Sequence, residues 1–100
     1  IKNSNILDLY SGIGSFGIEC ISRGAKSITF VDQDVSATKI LKENLTYLSI
    51  INKSKIFNIK IEKFLINDFK EKYNIFFLDP PFKDFNFLQN LKLIKKKKYF

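Results

Sequence analysis

Residues 8–17 read DLYSGIGSFG, and an apolar run over residues 6–10 leads directly into them. Three glycines, Gly12, Gly14 and Gly17, have the spacing Gly-x-Gly-x-x-Gly, and an apolar pattern of helical period follows. Glycine allows the positive φ angles of a tight turn and leaves bare backbone for a ligand to approach. A strand, a glycine turn and a helix in this order predict the first unit of a Rossmann-like fold. A glycine turn that merely joins a strand to a helix is an equally common alternative for the pattern alone.

The composition is typical of one small folded domain. Of the 100 residues, 45% are hydrophobic and 15% aromatic, which is enough to build a core. The sequence contains neither an apolar run of the roughly 20 residues that span a bilayer nor a signal-peptide pattern. With one cysteine, Cys20, and no histidine, we expect a cytoplasmic protein without a metal site, in which Cys20 is buried or half-buried.

The net charge of +7 favours an anionic partner such as a nucleic acid. Arg23 is the one arginine among 17 cations, and isoleucine and asparagine are also abundant, so a coding bias toward A/T-rich codons explains the charge as well. The lysine run at residues 95–98 is either a nucleic-acid-binding tail or a solvated turn before a further strand, and we favour the turn.

Alternating apolar patterns predict strands separated by helices. The strands are expected at residues 6–10, 27–31, 55–60 and 74–78, and the helices at about 15–22, 36–48, 61–65 and 85–95. The second helix is predicted to face the core with Ala37, Ile40, Leu41, Leu45 and Leu48. This alternation indicates an α/β Rossmann-like domain with a mostly parallel, incomplete sheet of four to five strands. The apolar fourth strand would then lie at or near an edge, so we expect the 100 residues to form a single, partial domain.

Two acidic residues near the glycine turn suggest a ligand. Asp32 ends the second strand, twenty positions after Gly12, where nucleotide-binding units use an acid to accept hydrogen bonds from ribose hydroxyls. The alternative is a cap on the next helix, a role for which Asp34 is better placed. Asp8 lies inside the first strand, where a carboxylate is unfavourable unless it is hydrogen-bonded. It fits a ligand with positive charge near the turn, such as the sulfonium and amino groups of S-adenosylmethionine (SAM).

Residues 79–82, Asp-Pro-Pro-Phe, follow the most apolar strand. They lie at the carboxyl end of a strand, where open α/β sheets bind their ligands. Two prolines fix the backbone so that the Asp79 carboxylate and nearby carbonyls can converge on one point, and Phe82 can stack on a planar ring. This combination suits the exocyclic amine of a nucleobase. The alternative is a plain turn that ends a strand.

Together these residues resemble the class I SAM-dependent methyltransferases, and within them the RsmD-type 16S ribosomal RNA guanine-N2 methyltransferases. The resemblance covers most of the chain from Asn5 to Phe87. The matching segments are LDLYSGIGSFGIE at 7–19, SRGA at 22–25, FVDQD at 30–34, NL at 44–45, FL at 64–65 and FLDPPF at 77–82.

The resemblance implies methyl transfer from SAM to the exocyclic N2 amine of a guanine in 16S rRNA. It implies that the cofactor is held by Asp8, Tyr10, Gly12, Gly14 and Asp32, and that the catalytic residues at the base are Asp79, Pro80, Pro81 and Phe82. The implied partner is 16S rRNA or a small-subunit assembly intermediate, with no membrane, and we expect a monomer. Lys60 stands where the family often has Asp or Asn near the adenine.

Three other functions stay open at the level of sequence. The first is another amino-methyltransferase that acts on DNA or a different RNA. The second is a non-catalytic RNA-binding remnant, which Lys60 favours and the acids Asp8, Asp32 and Asp79 oppose. An NAD-dependent dehydrogenase is the least favoured, because its chemistry has no need of residues 79–82.

Overall fold

The computed structural model describes residues 1–66 and 72–80. Its strands are β1 (Asn5–Leu9), β2 (Ser27–Val31), β3 (Ser54–Phe57) and β4 (Ile75–Leu78). Its helices are α1 (Ser15–Ser22), α2 (Val35–Tyr47) and α3 (Ile61–Ile66), and a 3-10 turn, Ile51–Lys53, precedes β3. The predicted helix at 85–95 and the lysine run lie outside the described residues.

All four strands run parallel in the order β3-β2-β1-β4. In register, Leu9 at the end of β1 lies between Val31 of β2 and Leu78 of β4. The predicted parallel α/β fold is therefore confirmed, and β4 is the outermost strand on its side within the described part of the chain. The residues that follow β1, β2 and β4 meet at one edge of the sheet, which is where a ligand site is expected.

The sheet has an apolar core on each face, because both faces are covered by helices. Helices α1 and α2 pack on one face, whose buried side chains include Ile6, Phe30 and Leu41. Helix α3 covers the other face with Phe64 and Leu65, both fully buried. Each such side chain contributes about 1.5–3 kcal/mol when it leaves water. Cys20 is 1% exposed in the first of these cores, as predicted.

Helix α1 has the predicted bounds, and Gly24 after it takes the predicted left-handed conformation with a φ of 97°. Helix α2 begins one residue earlier than predicted. Asp34 is its N-cap, as expected, and accepts a hydrogen bond from the N–H of Ala37 at 3.2 Å.

The predicted inward face of α2 is wrong at two positions, since Ile40 is 44% exposed and Leu48 is 47% exposed. The buried residues are Thr38, Leu41 and Leu45, a narrower stripe than the hydrophobic pattern suggested. Thr38 can be buried because its hydroxyl donates to the carbonyls of Asp34 and Val35, so no polar group is left without a partner.

Strand β3 is shorter than predicted, because it ends at Phe57 rather than at residue 60. The last backbone bond of this ladder runs from the N–H of Asp32 to the carbonyl of Phe57 at 3.1 Å. The Asn58 side chain then donates to the carbonyl of Asp32 at 3.0 Å and takes the place of a further ladder bond. The Lys60 carbonyl accepts the N–H of Phe64 and so starts α3.

Candidate active site

The turn after β1 follows an unusual backbone path. Tyr10, Gly12 and Gly14 have positive φ angles of 62°, 55° and 88°. The N–H of Ser11 donates to the carbonyl of Val31 at 3.1 Å, and the N–H of Gly14 donates to that of Ser11 at 2.9 Å. A positive φ at a residue with a side chain costs of order 1–3 kcal/mol and is concentrated at functional sites. Tyr10, which is half-buried, takes this conformation without the freedom of a glycine.

The three glycines serve two different purposes. A Cβ on Gly14 would overlap Leu41 of α2, and one on Gly17 would overlap the ring of Phe30 on β2. These two glycines let the helices approach the sheet closely. A Cβ on Gly12 would have no atom within 4 Å, so the backbone there borders open space. Gly12 is the glycine at which a ligand can approach the backbone.

The carboxylate of Asp32 fixes the shape of the turn. Its Oδ2 accepts the N–H of Gly12 at 2.8 Å, and its Oδ1 accepts the N–H of Asp34 at 2.8 Å. Each carboxylate oxygen can accept more than one hydrogen bond, so both can still accept from a ligand hydroxyl. The side chain is only half-buried. Asp32 thus lies beside the open space at Gly12, with acceptor capacity that suits a ribose.

Asp8 is the most unusual side chain of the site. It is 1% exposed, and neither of its oxygens has a hydrogen-bond partner among the described residues. Its register neighbours on this face of the sheet are Phe30 and Phe77. Burial, followed by the negative charges of Asp32 and Asp79, raises the pKa of Asp8 to about 7. The nearby N–H of Gly17 lowers this pKa, although it is not placed well enough to form a hydrogen bond with either oxygen of Asp8.

The residues after β4 reach the same edge. Asp79 follows Leu78 directly and is exposed, and Pro80 is half-buried. Because Leu78 pairs in register with Leu9, Asp79 follows β4 at the edge where the glycine turn follows β1, and its negative charge contributes to the raised pKa of Asp8. On the preceding strand, the ring of Phe77 stacks on Phe16 of α1, with ring centroids 3.8 Å apart and planes 12° apart. Two predicted site residues, Pro81 and Phe82, lie outside the described residues.

A groove lies beyond Asp32, between the segments that follow β2 and β3. It is an open groove of about 620 Å³. Lys60 is exposed and lines it. The groove is lined by Gln33, Asp34, Val35, Asn58, Ile59, Lys60 and Lys63. Its position next to the proposed ribose acceptor suits a planar base such as adenine.

The site also contains two residues that the sequence reasoning did not single out. Ser11 has a buried hydroxyl oxygen without a hydrogen-bond partner among the described residues. Its position inside the glycine turn could have identified it. Asn58 holds the Asp32 carbonyl, and an amide directly after a strand was its only signal. In residues 1–66 and 72–80, no cluster of three or more metal-ligating side chains occurs and no helix is long and apolar enough to cross a membrane.

The chemistry of these residues fits SAM. The cofactor needs acceptors for a ribose, room beside the glycine backbone and a place for positive charge. Asp32 and Gly12 would supply the first two, and the unpartnered carboxyl group of Asp8 would supply the third. A buried polar group without a partner is unfavourable unless a ligand, an ion or water satisfies it.

Comparison with known proteins finds one matching family model and relatives that share one name. The family model described as "Conserved hypothetical protein 95" matches residues 1–100. A protein of Buchnera aphidicola subsp. Acyrthosiphon pisum named "Ribosomal RNA small subunit methyltransferase D" is 36% identical over 105 residues, which cover 99% of this chain and 54% of the relative. The protein of the same name from Buchnera aphidicola subsp. Baizongia pistaciae is 40% identical over 96 residues, which cover 96% of this chain and 48% of the relative.

The solved structures give the same result for the fold. A putative methylase from Haemophilus influenzae superposes with a TM-score of 0.87 at 34% identity, over 97% of this chain and 62% of that chain. The chain thus spans about half the length of the curated relatives it matches. The matched half contains the glycine turn and the Asp79-Pro80 segment.

Proposed function

Because the chain belongs to the Conserved hypothetical protein 95 family, the RsmD family of methyltransferases, we propose that it binds SAM and serves methylation of ribosomal RNA. More specifically, we propose transfer of a methyl group to the exocyclic N2 amine of a guanine in 16S rRNA. The observation that carries the proposal is the meeting of Asp8, Gly12 and Asp32 with Asp79 at one edge of the sheet. A cofactor site and an amine-binding segment then lie side by side.

The cofactor side of this proposal rests on the turn after β1. Asp32 would accept hydrogen bonds from the ribose hydroxyls, and Gly12 would border the cofactor. Asp8 would face positive charge, and the groove at Lys60 would receive the adenine. Bound SAM supplies an electrophilic methyl group on a sulfonium centre. We assign Tyr10 and Gly14 the task of shaping the turn beside the cofactor.

The substrate side rests on the segment after β4. The lone pair of a guanine amine is delocalised into the ring, so the amine is a weak nucleophile. Asp79, assisted by the carbonyl of Pro80, would accept hydrogen bonds from the amine and orient it toward the methyl group. Asp79 is exposed and can take up the proton released after transfer. A base in folded RNA must first leave its stack to reach this position. The proposed partner is therefore 16S rRNA or a small-subunit assembly intermediate.

Calorimetric titration with SAM and with NAD tests the cofactor assignment. We expect SAM to bind and NAD to give no signal, because Asp8 suits a positive charge beside the glycine turn, where NAD would place its negatively charged pyrophosphate. Binding of NAD in place of SAM would support a dehydrogenase. Absence of binding to either would support a non-catalytic remnant and contradict the proposal.

Methylation is best assayed in a version extended to the full length of a Buchnera relative with that relative's own segments, since the chain spans about half of that length. Mass spectrometry of nucleosides from 16S rRNA would identify the methylated base. We expect N2-methylguanosine, and methylation of an adenine amine or of DNA would contradict the proposed substrate.

A further inference from the structure

Asp8 lies in surroundings that do not support a charge. Its side chain is 1% exposed and lies between two phenylalanines, Phe30 on β2 and Phe77 on β4, in the register of the sheet. Neither oxygen has a hydrogen-bond partner in the part of the chain that the structure describes. An isolated buried carboxylate is so costly that such a group takes up a proton instead.

The charged groups around Asp8 also favour its protonated form. Among the described residues, the charged side chains that act on it are Asp32 after β2 and Asp79 after β4, and both are negative. From α1, the titratable neighbour is Cys20, whose own pKa is raised by burial and by Asp8, so it remains a neutral thiol. From the same helix the Gly17 N–H provides a weak opposing effect. Within residues 1–66 and 72–80, no cation acts on Asp8 to stabilise its carboxylate.

We propose that Asp8 is a proton-linked cation site, which holds a proton in the free protein and releases it to solvent when the charged end of SAM binds beside it. This inference rests on the proposed function and adds to it a coupling between cofactor and proton. The step is an acid dissociation, in which the O–H bond of the Asp8 carboxyl group breaks, the electron pair stays on oxygen and the proton passes to the buffer. The carboxylate that remains pairs with the cationic ligand.

The size of the coupling follows from the charge of the ligand. A positive charge within about 4–6 Å lowers the pKa of a carboxyl group by about 1–3. Most of one proton should therefore be released when SAM binds at pH 6.5. The affinity for SAM should rise roughly tenfold between pH 5.5 and 7.0, a range in which the α-amino group of the ligand stays protonated.

The experiment is calorimetric titration of the 100-residue chain with SAM at pH 6.5, in phosphate and in imidazole. These buffers differ in ionisation enthalpy, so the difference between the two binding enthalpies counts the protons released. Adenosine serves as a second probe, because it has the ribose and adenine without the charged end. We expect proton release with SAM and none with adenosine. Asp8→Asn should abolish the release, and Glu19→Gln, on the exposed side of α1 with 61% of its side chain accessible, should keep it.

The outcomes separate this inference from the proposed function. SAM binding with equal enthalpies in both buffers would overturn the inference and leave the cofactor assignment intact. Equal proton release with adenosine and SAM would also overturn it, because the proton would not depend on the charged end. Absence of SAM binding from pH 5.5 to 8.5 would overturn the proposed function, and this inference with it. The wild-type titrations decide the matter even where Asp8→Asn binds too weakly to measure.

Discussion

Replacing Asp8 by asparagine should make the free protein more stable above pH 7 and change the shape of its stability profile. The ordinary pKa of an aspartate is 3.8, and burial beside two other carboxylates raises that of Asp8 to about 7. Below pH 3.8 the group is protonated in both the folded and the unfolded chain. Between 3.8 and about 7 the unfolded chain ionises while the folded chain retains its proton. Folding therefore loses stability as the pH rises through this window, and the loss is complete above it.

Each pH unit of this window corresponds to about 1.4 kcal/mol, so the full window amounts to roughly 4 kcal/mol. Small domains have a net stability of only about 5–15 kcal/mol, so the change is measurable. Asparagine has nearly the same shape and does not titrate. Asp8→Asn should match the wild type near pH 4 and exceed it by up to roughly 4 kcal/mol at pH 8.

Urea unfolding followed by circular dichroism from pH 4 to 8 measures this difference. Glu19→Gln is the matched control, because its exposed carboxylate pairs with Arg23 on the surface, where such pairs contribute little. The control should keep the wild-type pH profile. Parallel profiles for wild type and Asp8→Asn would refute the reasoning, because they would show that Asp8 is ionised at its ordinary pKa in the folded chain.

Four further variants probe the site and the turn. Asp32→Ala should weaken SAM binding roughly tenfold or more in calorimetry, because it removes a charged acceptor worth about 1.5–3 kcal/mol. Lys60→Asp should tighten SAM binding, because an acceptor replaces a donor in the groove proposed for the adenine amine. In the extended version of the protein, Asp79→Ala should lower the single-turnover methylation rate and leave SAM affinity nearly unchanged. Gly17→Ala should destabilise the fold by about 1–3 kcal/mol in urea, because its Cβ would overlap Phe30.

Each of these variants has a matched control and a contrary result. Glu19→Gln lies outside the groove and should bind SAM like the wild type, so equal affinity of Asp32→Ala would exclude the ribose contact. Unchanged or weaker binding by Lys60→Asp would place that side chain away from the adenine. A parental rate for Asp79→Ala would remove the segment after β4 from the catalytic step. For Gly17→Ala the comparison is Gly12→Ala, whose Cβ meets open space and whose cost is the backbone strain of about 1 kcal/mol.

The fold was predictable because its signals are local and redundant. The glycine turn, the apolar strands and the Asp34 cap each predicted their own element, and α1 and β2 have the predicted bounds. Helix α2 was harder, because hydrophobicity alone assigned Ile40 to the core. Thr38 lies in the core instead, because its hydroxyl donates hydrogen bonds to backbone carbonyls. A hydrophobic pattern does not show that a polar side chain will find hydrogen-bond partners at the start of its own helix.

For the candidate site, the sequence predicted where the acidic residues lie along the strands but not what surrounds them. The sequence placed Asp8, Asp32 and Asp79 after or within neighbouring strands, and parallel pairing then brings them to one edge. It did not predict that Asp32 would bond to two backbone N–H groups, or that Asn58 would hold its carbonyl. It also did not predict that Asp8 would lie between Phe30 and Phe77, because the order of strands in a sheet is set by tertiary packing.

The bonds made by Asp32 have a consequence for how fast a ligand can bind. This residue ties the segment after β1 to those that begin α2 and follow β3, through side-chain and backbone contacts already present in the free chain. In the part of the chain that the structure describes, a ligand that arrives at this carboxylate meets a surface already held in one shape. Its association rate should then be set by diffusion and orientation rather than by a slow closing motion. The amide hydrogens of Gly12 and Asp34, both donated to this carboxylate, should exchange slowly with solvent even before any ligand is added.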